Sequence, residues 1–107
     1  MNNKSLSTLG LAMRAGKVLA GDDTVLKAVR SGEAKLVILA VDAAANAQKK
    51  YRDKCSHYQI PLVEYGTRLE LGAAVGKVDR VVLAVTDDGF AGRIAQGLAK
   101  PAEVEKH

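Results

Sequence analysis

Two uninterrupted aliphatic runs, residues 36–41 and 81–85, limit the folds open to this 107-residue chain. A run of this kind, without alternating polar residues, is typical of a strand that is covered on both faces. Shorter strands are predicted at residues 18–20 and 62–65. Helical spacing of apolar residues predicts helices over residues 4–15, 22–31, 43–58, 68–75 and from Asp87 onward. This alternation predicts an α/β fold with helices on both faces of the sheet.

The length predicts a single domain that spans residues 1–107. Hydrophobic residues make up 48% of the chain, which is too much for a disordered protein. No repeat or internal linker interrupts the pattern. Pro101 is expected to end the last helix, because proline cannot donate a backbone hydrogen bond. Residues 101–107 are therefore expected to form a charged, frayed tail.

The composition narrows the function classes. A net charge of +4 is compatible with nucleic-acid binding. One Phe, three Tyr and no Trp argue against an aromatic platform that stacks single-stranded bases. The single cysteine, Cys55, cannot form an internal disulfide and favours a cytoplasmic protein. No stretch approaches the roughly 20 apolar residues of a membrane helix, so no membrane association is expected.

Residues that could support catalysis or metal binding are few. Cys55, His57 and His107 cannot complete a zinc site between them, and Cys55 is interpreted as a core side chain. The glycine patterns of dinucleotide sites and P-loops are missing, so no cofactor is expected. The acidic pairs at residues 22–23 and 87–88 are explained as helix caps. The chain is therefore predicted not to be an enzyme. Catalysis by Asp22 and Asp23 as acid and base is kept as a remote alternative.

The most informative turn joins the first strand to the second helix. Gly21 permits a tight turn, and Asp22 and Asp23 suit the first turn of the helix that follows. A helix N-terminus presents free backbone N–H groups to an anionic or hydrogen-bonding partner. The basic side chains near this turn are Arg14, Lys17, Lys27 and Arg30. An ordinary helix cap beside solvated lysines explains the same residues and stays open from this stretch alone.

Two other helix starts can be predicted from their caps. Asp42 directly follows the first aliphatic run and is predicted to cap the third helix. Thr67 with Glu70 three residues later resembles a capping box at the start of the fourth helix.

The order and spacing of several short segments are more specific than any one of them. These segments are residues 21–27, Gly32, residues 34–40, Asp42, Cys55, residues 60–61, residues 71–72 and Gly76. Together they resemble the ribosomal-protein family that binds kink-turn RNA, the L7Ae and L30e type, over residues 5–98. Further matches, at residues 9–12, 14–17, 85–87 and 89–91, resemble a small bacterial member of that family. The resemblance implies a three-layer αβα sandwich with a four-stranded mixed sheet.

The resemblance also implies an RNA site at the glycine turn. The family pattern is Gly-x-Asn-Glu-x-x-Lys, in which Gly21 and Lys27 match, whereas Asp23 and Thr24 replace the Asn and the Glu. An ionised Asp only accepts hydrogen bonds, while Asn also donates them, so this change bears on kink-turn affinity. Asp22 lies within the same turn. A second contact is implied for the loop before the last strand, with Lys77, Val78, Asp79 and Arg80.

The resemblance therefore predicts a non-catalytic, cytoplasmic RNA-binding protein that recognises a kink-turn or similar structured RNA. Ribosomal RNA is among the candidates, and the protein is expected to be a monomer associated with the ribosome or with translation. Ribosomal or translation-factor protein partners are compatible with this function, whereas DNA is not expected. Because Asp23 and Thr24 depart from the pattern, a protein-interaction module with weak or lost kink-turn affinity remains the alternative.

Overall fold

The two aliphatic runs form the centre of a mixed sheet. A computed structural model describes residues 3–104, and the strands there are β1 (Val18–Ala20), β2 (Leu36–Leu39), β3 (Leu62–Glu64) and β4 (Val82–Val85). They lie in the order β1-β4-β2-β3. β4 pairs antiparallel with both β1 and β2, and β2 pairs parallel with β3. The predicted four-stranded mixed sheet is confirmed.

Helices cover both faces of this sheet. They are α1 (Asn3–Arg14), α2 (Asp22–Ser31), α3 (Ala45–Tyr58), α4 (Arg68–Ala74) and α5 (Asp88–Val104). α1, α4 and α5 pack on one face, and α2 and α3 pack on the other. The three-layer αβα sandwich is therefore confirmed. Among the described residues, no helix combines the length and the apolar character needed to cross a membrane.

The central strands are apolar throughout because each contributes to two cores. In β2, Leu36 and Ile38 face α1, α4 and α5, whereas Val37 and Leu39 face α2 and α3. Successive side chains of a strand point to opposite faces of its sheet. Each side of β2 therefore needs an apolar residue, and all four of its residues are buried.

The helix caps differ in part from the predicted ones. Asp42 does not cap α3, since its Oδ1 accepts a hydrogen bond from the backbone N–H of Arg68 at 2.9 Å. α3 begins only at Ala45, after the N-cap residue Ala44. The Thr67–Glu70 capping box of α4 is present as predicted.

The last helix also differs from its prediction. α5 runs through Pro101 to Val104, so the prediction that Pro101 ends this helix is wrong. Proline removes one amide donor, but its fixed φ is compatible with a helix. Residues 105–107 of the expected tail lie outside the described residues.

The polarity of the sheet places the β1–α2, β2–α3 and β3–α4 connections and the loop before β4 at one end of the molecule. Ala20 at the end of β1 lies opposite Leu83, and Leu39 at the end of β2 lies opposite Val82. Because β4 is antiparallel to both strands, its beginning meets their ends. The starts of α2 and α3 and the loop before β4 therefore lie side by side.

Candidate functional site

A cleft of about 530 Å³ opens at this end of the sheet, and we call it the α2–α3 cleft. Its walls come from three elements that are far apart in the sequence: the start of α2, the first turns of α3 and the chain entering β4. The cleft is lined by Gly21, Asp22, Ala44, Asn46, Ala47, Lys50, Asp79, Arg80, Val81 and Val82. The structure thus brings Gly21 and Asp22 of the predicted glycine turn together with Asp79 and Arg80 of the predicted loop.

The start of α2 depends on the conformation of Gly21. Its φ of 109° and ψ of 137° lie in a region that side chains hinder, which explains the glycine at this turn. Gly21 is also the N-cap residue, and its carbonyl accepts the first backbone hydrogen bond of the helix, from Val25 at 2.9 Å. Glycine has no side chain with which to cap the first turn. The backbone N–H groups of that turn therefore remain available to a partner.

The start of α3 also lacks a side-chain cap. Its N-cap residue is Ala44, whose side chain has no polar atom with which to cap the helix, and the nearby Asp42 is engaged with α4. Two helix N-termini of the described chain thus reach one cleft without side-chain caps. Each adds free N–H donors and the positive end of a helix dipole.

Asp22 is held by α3 and is not a capping residue. The hydroxyl of the buried Tyr51 donates to Asp22 Oδ1 and, at 3.1 Å, to its carbonyl oxygen. Lys50 Nζ lies 2.9 Å from Asp22 Oδ2. The hydrogen bonds from Tyr51 and then Lys50 hold the pKa of Asp22 below its usual value. Asp22 therefore stays ionised, which makes it unsuitable as the acid of the remote catalytic alternative.

Tyr51 is matched to this role. Burial, followed by the hydrogen bond to Asp22, raises the pKa of Tyr51 above its ordinary value. The phenol therefore remains protonated and keeps donating to Asp22. This partly buried bond joins the first residue of α2 to the middle of α3 and fixes the two N-termini relative to each other.

The loop before β4 is positioned by α4. Lys77 N donates to Gly72 O at 2.8 Å, and Arg80 N donates to Arg68 O at 3.0 Å. Gly72 is buried, and a Cβ added there would lie 2.6 Å from the Cα of Asp79. Glycine at this position therefore allows the loop to lie directly on α4.

The lining of the cleft carries two acids and two cations, and Arg68 beside it adds a third cation. Asp79 pairs with Arg68 at 3.6 Å, as Asp22 pairs with Lys50. Both acids of the cleft lining thus have a cation beside them. Arg80 is half-buried and donates from Nη1 to the carbonyl of Asp79 at 2.6 Å, while its buried Nε has no partner among the described residues. No carboxylate in the described part of the chain neutralises Arg80.

The other predicted residues near these elements surround the cleft without lining it. Asp23 and Thr24 are exposed on the first turn of α2, and Lys77 and Val78 are exposed on the loop. Val78 exposes 85% of its surface, more than any other large hydrophobic residue in the described part of the chain. Lys27 and Arg30 are exposed further along α2. They lie about 9 Å and 14 Å from Gly21 along the helix axis.

Arg14 and Lys17 lie elsewhere. The carbonyl of Lys17 accepts from Thr86 N at 2.8 Å, which places Lys17 beside the end of β4. That is the end of the sheet opposite the cleft. Arg14 and Lys17 precede β1, whereas Gly21 follows it. Lys17 and Gly21 are four positions apart along an extended strand, which is a distance of about 13 Å. The structure therefore does not bring these two charges to the glycine turn, and their role as peripheral phosphate contacts stays a prediction.

The contribution of α3 to the cleft was not predicted from the sequence. Helical spacing over residues 43–58 places Asn46 and Lys50 on the polar face of this helix, yet they line the cleft with Ala44 and Ala47. The spacing of α3 shows which side is wet, but not which neighbour that side adjoins. Only the antiparallel pairing of β2 with β4 brings the start of α3 to the loop before β4.

Fold and site together define a small three-layer α/β protein whose cleft is suited to binding through backbone amides and cations. The model of the ribosomal protein L7Ae/L30e/S12e/Gadd45 family matches residues 3–95. The chain therefore belongs to this family, as the sequence resemblance predicted.

Individual relatives agree with this assignment. The RNA-binding protein YlxQ of Bacillus subtilis is 50% identical over 86 residues, covering 80% of this chain and 86% of that protein. The large ribosomal subunit protein eL30 of Methanosarcina mazei is 35% identical, covering 73% of this chain and 74% of that protein. These relatives are named for RNA binding or as ribosomal proteins, which confirms the prediction that the chain is not an enzyme.

Solved structures agree at the level of the fold. A Bacillus halodurans structure, described as a protein with unknown function, has a TM-score of 0.86 and 48% identity, and covers 89% of this chain and 96% of that chain. A 15.5kD RNA binding protein from Giardia lamblia has a TM-score of 0.74 at 24% identity, and covers 92% of this chain and 85% of that chain.

Proposed function

We propose that this protein binds a kink-turn or similar structured RNA through the α2–α3 cleft, in association with the ribosome or with translation, and catalyses no reaction. The observation that carries the proposal is the meeting of two helix N-termini without side-chain caps and an unneutralised Arg80 in one cleft. The names of the relatives support RNA as the partner. A cytoplasmic location and a monomeric state are part of the proposal.

The chemistry of the cleft suits a distorted RNA better than a regular duplex. Bases that leave a stacked helix expose hydrogen-bonding edges, and proteins read these edges mainly in loops, bulges and ends. The free N–H groups of α2 and α3 can donate to base acceptors or to phosphates. Ala47 and Val81, which are both partly exposed, supply apolar surface against which an unstacked base can pack.

The surrounding residues take roles that follow from their positions. Lys27 and Arg30 are exposed along α2 and are expected to neutralise phosphates. Lys77 and Arg80 are expected to do so from the loop, where the exposed Val78 can pack on an extruded base. Arg14 and Lys17, at the opposite end of the sheet, would act only on an RNA long enough to reach them.

The test is a titration of the protein into a labelled kink-turn RNA at two salt concentrations. The control RNA carries substitutions that disrupt the tandem G·A base pairs of the kink-turn. Tight binding that the control RNA loses is the expected result. Equal, strongly salt-dependent binding of both RNAs would contradict kink-turn recognition, because it would reflect charge attraction alone.

A protein-interaction module is the second candidate, and two observations favour it. Asp23 is exposed and brings a negative charge to the rim of the proposed RNA site. Leu69 and Val78 are also exposed, at 67% and 85%, on α4 and on the loop that packs against it. Purification of the tagged protein with and without nuclease distinguishes the two functions. Protein partners that survive the nuclease support this candidate, and partners that are lost with the RNA count against it.

A further inference from the structure

A second groove runs along α3 away from the α2–α3 cleft. It has a volume of about 430 Å³ and is lined by Lys50, Asp53, Lys54, His57 and Tyr58, and we call it the α3 groove. Lys50 lines the cleft as well as the groove, so the two depressions adjoin each other. α3 begins at the cleft end of the sheet. The α3 groove therefore leads from the cleft toward the opposite end.

The charge of the α3 groove favours an anionic occupant. Its acid, Asp53, lies 3.6 Å from Lys49, and Lys50 is paired with Asp22. Lys54 is half-buried and has no ion-pair or hydrogen-bond partner among the side chains that the structure describes. Lys50 and Lys54 are four residues apart, so they lie on the same side of α3, about 6 Å apart along its axis.

The far end of the groove offers polar aromatic groups. The rings of His57 and Tyr58 meet edge to face, with centroids 4.7 Å apart and an interplanar angle of 86°. Tyr58 is 38% exposed. A tyrosine hydroxyl and an imidazole N–H are both able to donate to phosphate or ribose oxygens.

We propose that the α3 groove binds the sugar–phosphate backbone of an RNA stem that leaves the α2–α3 cleft. The inference rests on the proposed function, because it takes the cleft as the anchor of the RNA. Lys54 neutralises a phosphate, and His57 and Tyr58 hydrogen-bond to the backbone beyond it. The contact is independent of base sequence, because it involves only phosphate and ribose oxygens.

The test compares Lys54→Gln with Lys35→Gln. Both variants remove one positive charge and keep a long polar side chain. Lys35 is exposed and directly precedes β2, at the end of the sheet opposite the cleft. Each variant is titrated into the intact kink-turn RNA and into RNAs in which one stem or the other has been shortened. Lys54→Arg, which keeps the charge, serves as the rescue variant.

The expected loss can be worked from counterion release. A neutralised phosphate contributes a slope of about 0.9 to the salt dependence of binding, so one contact is worth about eightfold in affinity between about 1 M and 0.1 M salt. Lys54→Gln should therefore weaken binding of the long-stemmed RNA about three- to tenfold at about 0.1 M salt. Shortening one particular stem should remove this difference. Lys35→Gln should match the wild type, and Lys54→Arg should restore the affinity.

The outcomes separate the two proposals. If wild-type protein binds the kink-turn RNA but Lys54→Gln behaves as Lys35→Gln does, the α3 groove does not contact RNA and the proposed function stands. An equal loss on every RNA would also overturn the inference, because Lys54 would then act within the cleft. If wild-type protein does not distinguish the kink-turn from its G·A-disrupted control, the proposed function fails and the inference fails with it.

Discussion

Replacing Gly72 by alanine should displace the loop before β4 without touching the proposed RNA. A Cβ at position 72 would lie 2.6 Å from the Cα of Asp79, 2.7 Å from the carbonyl oxygen of Val78 and 2.8 Å from the backbone N of Asp79. All three atoms belong to the backbone, so a change of side-chain rotamer cannot relieve the contact. The loop itself has to retreat.

The size of the effect follows from these distances. Non-bonded carbon atoms prefer a separation of about 3.5–4.0 Å, so the loop must move away from α4 by about 1 Å. Such overpacking costs about 1–3 kcal/mol, of which the better helix propensity of alanine returns about 1 kcal/mol. A net loss of up to about 2 kcal/mol in the free energy of unfolding is expected. The retreat also stretches the bond from Lys77 N to Gly72 O and moves Arg80.

Denaturant unfolding and RNA titration measure the two consequences. Gly72→Ala should be less stable than the wild type and should bind the kink-turn RNA about tenfold more weakly, the loss expected for one misplaced arginine contact. Gly92→Ala is the matched control, since it lies exposed on α5 and its added Cβ meets no atom within 4 Å. It should gain about 0.5–1 kcal/mol and bind normally. A Gly72→Ala protein as stable as Gly92→Ala would refute the reasoning.

Three further predictions concern α2 and α3. Tyr51→Phe should lower the free energy of unfolding by about 1–2 kcal/mol. The hydrogen bond from Tyr51 lowers the pKa of Asp22, so the wild type loses stability as the pH falls through that pKa. Tyr51→Phe should lose less stability over the same pH range, which urea unfolding across the acid range would show. Burial raises the pKa of the Cys55 thiol from 9.0 to about 11, so the stability of the wild type should fall as the pH rises through this interval. The difference in the free energy of unfolding between the wild type and Cys55→Ala should narrow by about 2 kcal/mol, and an unchanged difference would contradict this prediction. Lys27→Ala should weaken RNA binding and reduce its salt slope by about one at unchanged melting temperature, and an unaltered slope would remove Lys27 from the interface.

Much of the fold could be predicted because its local signals and its burial agree. The aliphatic runs predict the central strands, and Thr67 with Glu70 predicts the start of α4. The strand order, in contrast, has no local signal in the sequence. Pairing of β1 with β4, at the edge of the sheet, depends on contacts between residues far apart in the chain. Periodicity does not encode these contacts, and the family resemblance implied only a four-stranded mixed sheet, so the strand order was not predicted.

The candidate site was predicted less completely, because the sequence does not show whether an acidic side chain accepts a hydrogen bond from the nearby helix N-terminus or from a residue far away in the chain. Asp22 and Asp42 both follow a strand and precede a helix, which is the sequence position of a cap. In the structure Asp22 accepts from Tyr51 and Lys50, and Asp42 accepts from the backbone of Arg68. These bonds tie α2 to α3 and the β2–α3 connection to α4, and they leave two helix N-termini without side-chain caps at the cleft. These tertiary bonds make the local prediction of caps wrong, and they also leave the N–H donors of both helices free. A cleft that recognises hydrogen-bond acceptors requires such free donors.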